Sequence, residues 1–185
     1  FTHLDMAVPG IHNARNALSA AAVAWLLGVS PEDFKKGIEE YHGVGRRFEY
    51  RGSYNGADIY DDYAHHPSEI EATLKAARDM NPKRIICIFQ PHTYSRTVSL
   101  LNEFADALSH CDVCVLTDIF AARETNFSGI TSQKLSGMVK NSVCLSTLEQ
   151  AAGYIKDNAR PGDLIFTMGA GDIYKVYDIL TSMEK

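Results

Sequence analysis

Arg84-Ile85-Ile86-Cys87-Ile88-Phe89 runs directly into Gln90-Pro91-His92-Thr93-Tyr94-Ser95-Arg96, and the fold turns on how this stretch is read. A short, branched, almost wholly apolar run bounded by proline is the pattern of a strand buried on both faces. The polar residues behind it form a loop at that strand's carboxyl end. Similar apolar runs stand at Val113 to Thr117, around Val143 to Leu145, and at Leu164 to Met168. Helical stretches separate them at Ser68 to Asp79, Val98 to Ser109, Thr131 to Lys140 and Thr147 to Asn158, and a last helix follows Gly171. Alternating short strands and helices predict a doubly wound α/β fold, a mostly parallel, Rossmann-like sheet with helices on both faces and right-handed crossovers.

Upstream the rhythm differs. Phe48 to Tyr54 and Ala57 to Tyr63 flank Asn55-Gly56, a hairpin signal because both turn residues tolerate positive φ. Before that, His12 to Leu27 predicts a helix stopped by Gly28. Ser30-Pro31-Glu32-Asp33 starts a second helix, running to about Tyr41, with a capping serine, a first-turn proline and acids at the positive end of the helix dipole. Gly43-Val44-Gly45 then breaks the pattern, which places a domain boundary between residues 1–44 and 45–185. Phe1 to Val8 has the pattern of a strand already in progress, and with Phe as first residue the chain has the look of a piece of a longer protein.

Composition narrows the function classes. The 185 residues are 45% hydrophobic and 22% charged, a globular balance, and the net charge of -5 gives no support to a nucleic-acid surface. The longest apolar run, Ala20 to Leu27, is too short to span a bilayer, and no secretory signal is visible, so neither nucleic acid nor membrane is expected as a partner. Cys111 and Cys114 have C-x-x-C spacing, yet no second pair completes a zinc site. With Cys87 and Cys144 they are expected as reduced thiols packed in a cytoplasmic core.

Polar residues concentrate behind the strands. Asp61-Asp62-Tyr63-Ala64-His65-His66-Pro67, Gln90 to Arg96, Asp118 to Glu124 and Gly169-Ala170-Gly171-Asp172 would converge on one rim, where ligands of such sheets bind. Each has a plainer reading. Asp62 and the histidines could be loop polar groups before a helix, and Gly169-Ala170-Gly171 could be only a tight turn. Asp61, Asp62, His65, His66 and His92 could instead bind a metal, although adjacent histidines cannot easily aim both rings at one ion. No G-x-S-x-G elbow supports a serine hydrolase.

Three segments together carry a family resemblance. Gly10-Ile11-His12-Asn13-Ala14-Arg15-Asn16-Ala17-Leu18 resembles the G-x-H-N-x-x-N-A-L segment of Mur ligases, Gly45-Arg46-Arg47-Phe48-Glu49 their arginine segment, and Asp62-Tyr63-Ala64-His65-His66-Pro67 the D-Y-A-H-x-P segment shared with folylpolyglutamate synthases. Gln90 to Thr97, Asp118 to Glu124 and Met168 to Ile173 resemble, more narrowly, the branch of that family that adds L-alanine. The resemblance implies ATP-dependent amide formation between UDP-N-acetylmuramate and L-alanine through an acyl phosphate, in cytoplasmic peptidoglycan precursor synthesis, with Mg2+ neutralising phosphate charge. It implies that residues 1–44 end an ATP-binding central domain and that 45–185 form an amino-acid-binding domain.

Residue by residue, the resemblance places His12, Asn13 and Asn16 beside the ATP base, Arg47 at the phosphates or ribose, and Asp62 near the ribose. Tyr63, His65, His92 and Arg96 would line the amino-acid site, with Arg96 meeting the alanine carboxylate. The family's P-loop, its Mg2+ ligands and its UDP-binding domain are expected upstream of Phe1, so the chain alone is expected to be inactive. Two alternatives remain: a ligase of the same superfamily that recycles a tripeptide onto UDP-N-acetylmuramate, and a non-catalytic α/β nucleotide-binding module.

Overall fold

The computed structural model describes residues 3–8, 10–41 and 43–183; the side chain of His12 lies outside the described residues. Helix α1 (Ile11–Leu26) ends before Gly28, whose φ of 78° suits a residue without Cβ. Helix α2 (Pro31–Glu39) starts as its sequence predicts: Ser30 Oγ accepts from Asp33 N at 3.1 Å and donates to Asp33 Oδ2 at 2.8 Å. The expected strand at Phe1 to Val8 is not found in residues 3–8, which have no ladder partner among the described residues. Phe1 and Thr2 lie outside them.

Strands β1 (Glu49–Tyr54) and β2 (Ala57–Asp62) form the expected antiparallel hairpin. Asn55 (φ 48°) and Gly56 (φ 76°) both take positive φ, the turn whose twist matches the strands. The remaining strands, β3 (Arg84–Phe89), β4 (Val113–Leu116), β5 (Ser142–Cys144) and β6 (Asp163–Met168), run parallel to β2 in the order β1-β2-β6-β3-β4-β5. The doubly wound reading therefore holds, with one antiparallel edge strand.

Burial follows the pleat. Ile85, Cys87, Phe89, Leu164, Phe166 and Met168 enter one core, on the face covered by α3 (Pro67–Asp79), α5 (Leu101–Leu108) and α6 (Ser132–Ser136). Ile86, Ile88 and Ile165 enter the other, under α7 (Leu148–Asn158) and α8 (Lys175–Ser182). Two-sided burial explains why β3 and β6 lack polar alternation. Each of these isoleucines contributes about 1.5–3 kcal/mol of burial free energy.

Helix boundaries differ from expectation where side chains intervene. The run expected from Val98 to Ser109 is two helices, α4 (Tyr94–Ser99) and α5, parted at Leu100 (φ -121°, ψ 28°). Helix α6 stops at Ser136 rather than near Lys140, because Gly137 follows and Ser142 Oγ donates to the Ser136 carbonyl at 2.7 Å. Helix α8 begins only at Lys175, since Gln90 Oε1 accepts from Asp172 N at 3.0 Å and holds the preceding turn.

The strand order positions the site. The chain leaves β2 and β3 towards the first face, but leaves β6, which lies between them, towards the second. Neighbouring loops that depart to opposite faces open a crevice at the carboxyl ends of the strands.

Candidate functional site

The crevice is framed by loops stitched to one another. Gly169 N donates to Asp62 O at 3.1 Å and Gln90 N to Met168 O at 3.0 Å, which joins the ends of β2, β6 and β3. Gln90 Nε2 also donates to Asp172 Oδ1 at 3.0 Å. Gly169 has a φ of 146°, and a Cβ there would lie 2.7 Å from Gln90 O; one on Gly171 would overlap Gln90 Oε1 and the Phe120 ring. Arg46 spans the same place. Its Nε donates to Asp61 Oδ2 at 2.8 Å, Nη1 to Gly171 O at 3.1 Å and Nη2 to Gly169 O at 2.5 Å. The glycine turn thus presents carbonyls to a cation, which favours the plain tight-turn reading over an anion-binding loop.

Of the residues assigned to the amino-acid side, His65 and His92 come together, with ring centroids 6.1 Å apart, and Tyr63 packs edge-on to His65 at 5.3 Å. His65 Nδ1 lies 2.9 Å from Tyr63 O. A carbonyl only accepts, so Nδ1 carries the proton and Nε2 is the acceptor of the neutral ring. His92 stacks on Phe120 at 5.6 Å, and its Nδ1 is buried with no hydrogen-bond partner among the described residues. Burial, then the Arg96 charge, holds this imidazole below its ordinary pKa. Arg96 Nη1 is also buried without a partner among the described residues. An unsatisfied buried guanidinium N–H is costly, and a bound anion would satisfy it.

The nucleotide-side candidates gather separately. Asn13, Asn16, Arg47 and Asp62 line one cavity of about 460 Å3 together with Tyr41 and Glu69. Nothing is described of the His12 side chain. Asp62 has a structural task as well: Oδ2 accepts from Phe48 N at 2.8 Å and Oδ1 from Ala64 N at 2.7 Å. Burial raises its pKa, and those two backbone donors oppose the rise. Tyr63 links the two groups, because its ring carries the Arg47 guanidinium at 5.5 Å and that of Arg46 at 5.0 Å. The cavity and the histidine pair are therefore two ends of one wall.

His66 serves elsewhere. Its Nδ1 lies 2.9 Å from Ser68 Oγ and accepts from Ser68 N at 3.4 Å, capping α3, while Glu69 Oε2 accepts from His65 N at 3.0 Å. The adjacent histidines are thus split between a wall and a cap, and no group of three or more His, Cys, Asp or Glu among the described residues could hold a metal. The four cysteines are free thiols; Cys87 and Cys114 are buried. Sequence reasoning assigns no individual role to Arg46, Phe120 or Glu124, and offers Asp61 only as a possible metal ligand. Arg46 and Asp61 stand directly beside Arg47 and Asp62, and Glu124 lies in a polar loop whose residue types alone assign it no role.

Comparison with known proteins gives the chain a family and confirms its fold. Residues 46–171 match the family described as Mur ligase, glutamate ligase domain. A UDP-N-acetylmuramate–L-alanine ligase of Acetivibrio thermocellus is 50% identical over 179 residues, covering 95% of this chain and 38% of that protein. One of Lachnospira eligens is 49% identical over 177 residues, covering 94% of this chain and 39% of its own length. This chain therefore spans about two fifths of the length of these relatives. Among solved structures, the UDP-N-acetylmuramate-alanine ligase of Thermotoga maritima superposes with a TM-score of 0.81 at 27% identity, covering 100% of this chain and 40% of that one. With the family matched over well more than half its length, the chain belongs to the Mur ligases.

Proposed function

We propose that this chain is the carboxy-terminal part of an ATP-dependent ligase that joins L-alanine to UDP-N-acetylmuramate in the cytoplasmic synthesis of peptidoglycan precursor. Residues 45–185 are the amino-acid-binding domain, and 1–44 end the ATP-binding domain. The observation that carries this reading is the buried, unpartnered Nη1 of Arg96, beside His92 on the rim. High identity to relatives that bear the alanine ligase name supports the same reading. Among the described residues, no helix is long and apolar enough to cross a membrane.

A carboxylate does not expel oxide at neutral pH, so amide formation needs it activated, and ATP supplies that as an acyl phosphate. The residues of this chain then bind and orient. Arg96 takes the alanine carboxylate by paired charge-assisted hydrogen bonds. Alanine has almost no side chain to grip, so recognition falls on its two charged groups. Tyr63, His65 and His92 form the wall on which its amine is placed. Asn13 and Asn16 present amide donors and acceptors to an adenine edge, with His12 beside them. Arg47 and Asp62 suit phosphate and ribose. The family resemblance assigns the Mg2+ ligands to another part of the enzyme, and no step here is routed through the metal.

The test is Arg96→Lys in the full-length enzyme. Lysine cannot reproduce the two parallel bonds. KM for L-alanine should rise roughly ten- to a hundredfold, for a charged bond of about 1.5–3 kcal/mol, with KM for ATP unchanged. Wild-type kinetics would end the assignment. Saturation by a tripeptide in place of L-alanine would favour the recycling ligase.

A further inference from the structure

We infer that Glu124, in the loop between β4 and α6, is a positioning residue that holds the turn bearing Arg96 in its binding conformation. The inference rests on the reading of Arg96 given above. Helix α4 has no side-chain cap of its own: Thr93, at its N-cap, sits at φ 70°, ψ 143°, and makes no capping bond. Positive φ is uncommon for a β-branched residue and persists only where surroundings impose it. Here the neighbouring loop imposes it. Thr93 N donates to Phe120 O at 2.9 Å and Phe120 N to Pro91 O at 2.8 Å, so the loops after β3 and β4 are zipped together. Glu124 completes the seam. Its Oε2 accepts from Ser95 N at 2.9 Å and its Oε1 from Ser95 Oγ at 2.5 Å.

The consequence for Arg96 is twofold. The first turn of α4 receives from another loop the acceptor that Thr93 does not supply, which fixes the residue immediately before Arg96. Both oxygens of the carboxylate are engaged by Ser95, and Arg96 Nη1 remains buried and without a partner among the described residues. The Ser95 donors keep the Glu124 carboxyl below its ordinary range, so it stays an anion and an acceptor at neutral pH. A misplacement of about 1 Å in such a support can cost on the order of a hundredfold.

In the full-length enzyme, Glu124→Ala should raise KM for L-alanine about tenfold or more, with KM for ATP and kcat at saturating alanine within about twofold of wild type. Glu124→Gln keeps one carbonyl acceptor for Ser95 N and an NH2 that can meet Ser95 Oγ, so it should restore most of the affinity. In an Arg96→Ala background, Glu124→Ala should add less than about twofold, because a residue that acts through Arg96 has nothing left to position. If Arg96→Ala raises KM for alanine and Glu124→Ala does not, the inference fails and the site reading stands. If neither raises it, the site reading fails. Equal loss in kcat and in both KM values, or full additivity with Arg96→Ala, would also overturn the positioning role. Should Glu124→Ala fold poorly by circular dichroism, Ser95→Ala probes the same seam by removing one of the two bonds; no change in its KM for alanine would count against the inference.

Discussion

Arg46→Met would separate the frame of the crevice from its chemistry. The Asp61 side chain is 0% exposed and that of Arg46 22%, with Nε and Oδ2 2.8 Å apart. Without Arg46, the Asp61 carboxylate keeps the Thr167 hydroxyl, which donates to Oδ1 at 2.7 Å, and loses its countercharge. Removing one partner of a buried ion pair costs about 3–5 kcal/mol, because a desolvated charge is left behind. The carbonyls of Gly169 and Gly171 lose a donor each, and the guanidinium leaves the faces of Tyr63 and Tyr174, over which it lies at 5.0 and 4.7 Å. These losses overlap, since water can enter where the side chain was partly exposed, so about 4 kcal/mol is expected in total. In a domain whose whole stability is about 5–15 kcal/mol, that is a large share. At roughly 2–4 °C per kcal/mol for this size, Tm should fall by about 8–16 °C. Urea unfolding followed by circular dichroism should show a lower midpoint at unchanged m. Asp61→Asn added to Arg46→Met should recover at least about 1 kcal/mol by removing the stranded charge. A loss under about 1 kcal/mol in the single variant, or no recovery in the double, would refute the reasoning.

Gly171→Ala should cost about 1–3 kcal/mol by overpacking, since its Cβ would lie 2.7 Å from the Phe120 ring and overlap Gln90 Oε1; denaturation at wild-type midpoint would contradict this. Stability should decline with acid in two stages. His92 titrates low in the fold through burial and Arg96, so below about pH 6.5 the unfolded chain binds its proton more readily, and stability falls as pH drops; His92→Gln should flatten that first stage of urea midpoints. Glu69 also lies below its ordinary value, despite burial, through backbone donors at His65 and His66 and the His65 charge, and adds a loss at lower pH. The chain alone should bind ATP more weakly than about micromolar and leave it unhydrolysed, since base and ribose contacts must still overcome lost freedom; micromolar binding by calorimetry would contradict the reading that the phosphate cradle lies elsewhere in the enzyme.

Local chemistry made much of this legible. Asn55-Gly56 and Ser30-Pro31 determine their turn and cap almost without reference to the rest of the chain, and β3 and β6 stood out because burial on both faces leaves no polar alternation. Interactions between distant residues were not legible. Nothing in Leu164 to Met168 says that this strand enters between β2 and β3, and nothing in Ser142 says that its hydroxyl ends α6. At the rim, the residue types pointed to the loops that converge there but not to the division of labour inside them. Arg46 and Arg47 are neighbours with opposite fates, one tied to Asp61 and the glycine turn, the other facing the cavity. Thr93 gave no hint of positive φ, since a seam with another loop imposes it.

The insertion of β6 between β2 and β3 also governs how the domain comes into being. The strand at the centre of the sheet comes last of the sheet's six strands in chain order, and Thr167 must reach Asp61 across 106 residues of chain. Until it does, β2 and β3 each expose an unsatisfied edge, and the hairpin has no sheet to join. Order of synthesis and order of assembly therefore conflict, so the nascent chain must wait with its edges open, in the state most prone to pairing with other chains. A chain cut just before Asp163 would lose not an edge but the strand that makes one sheet out of two halves.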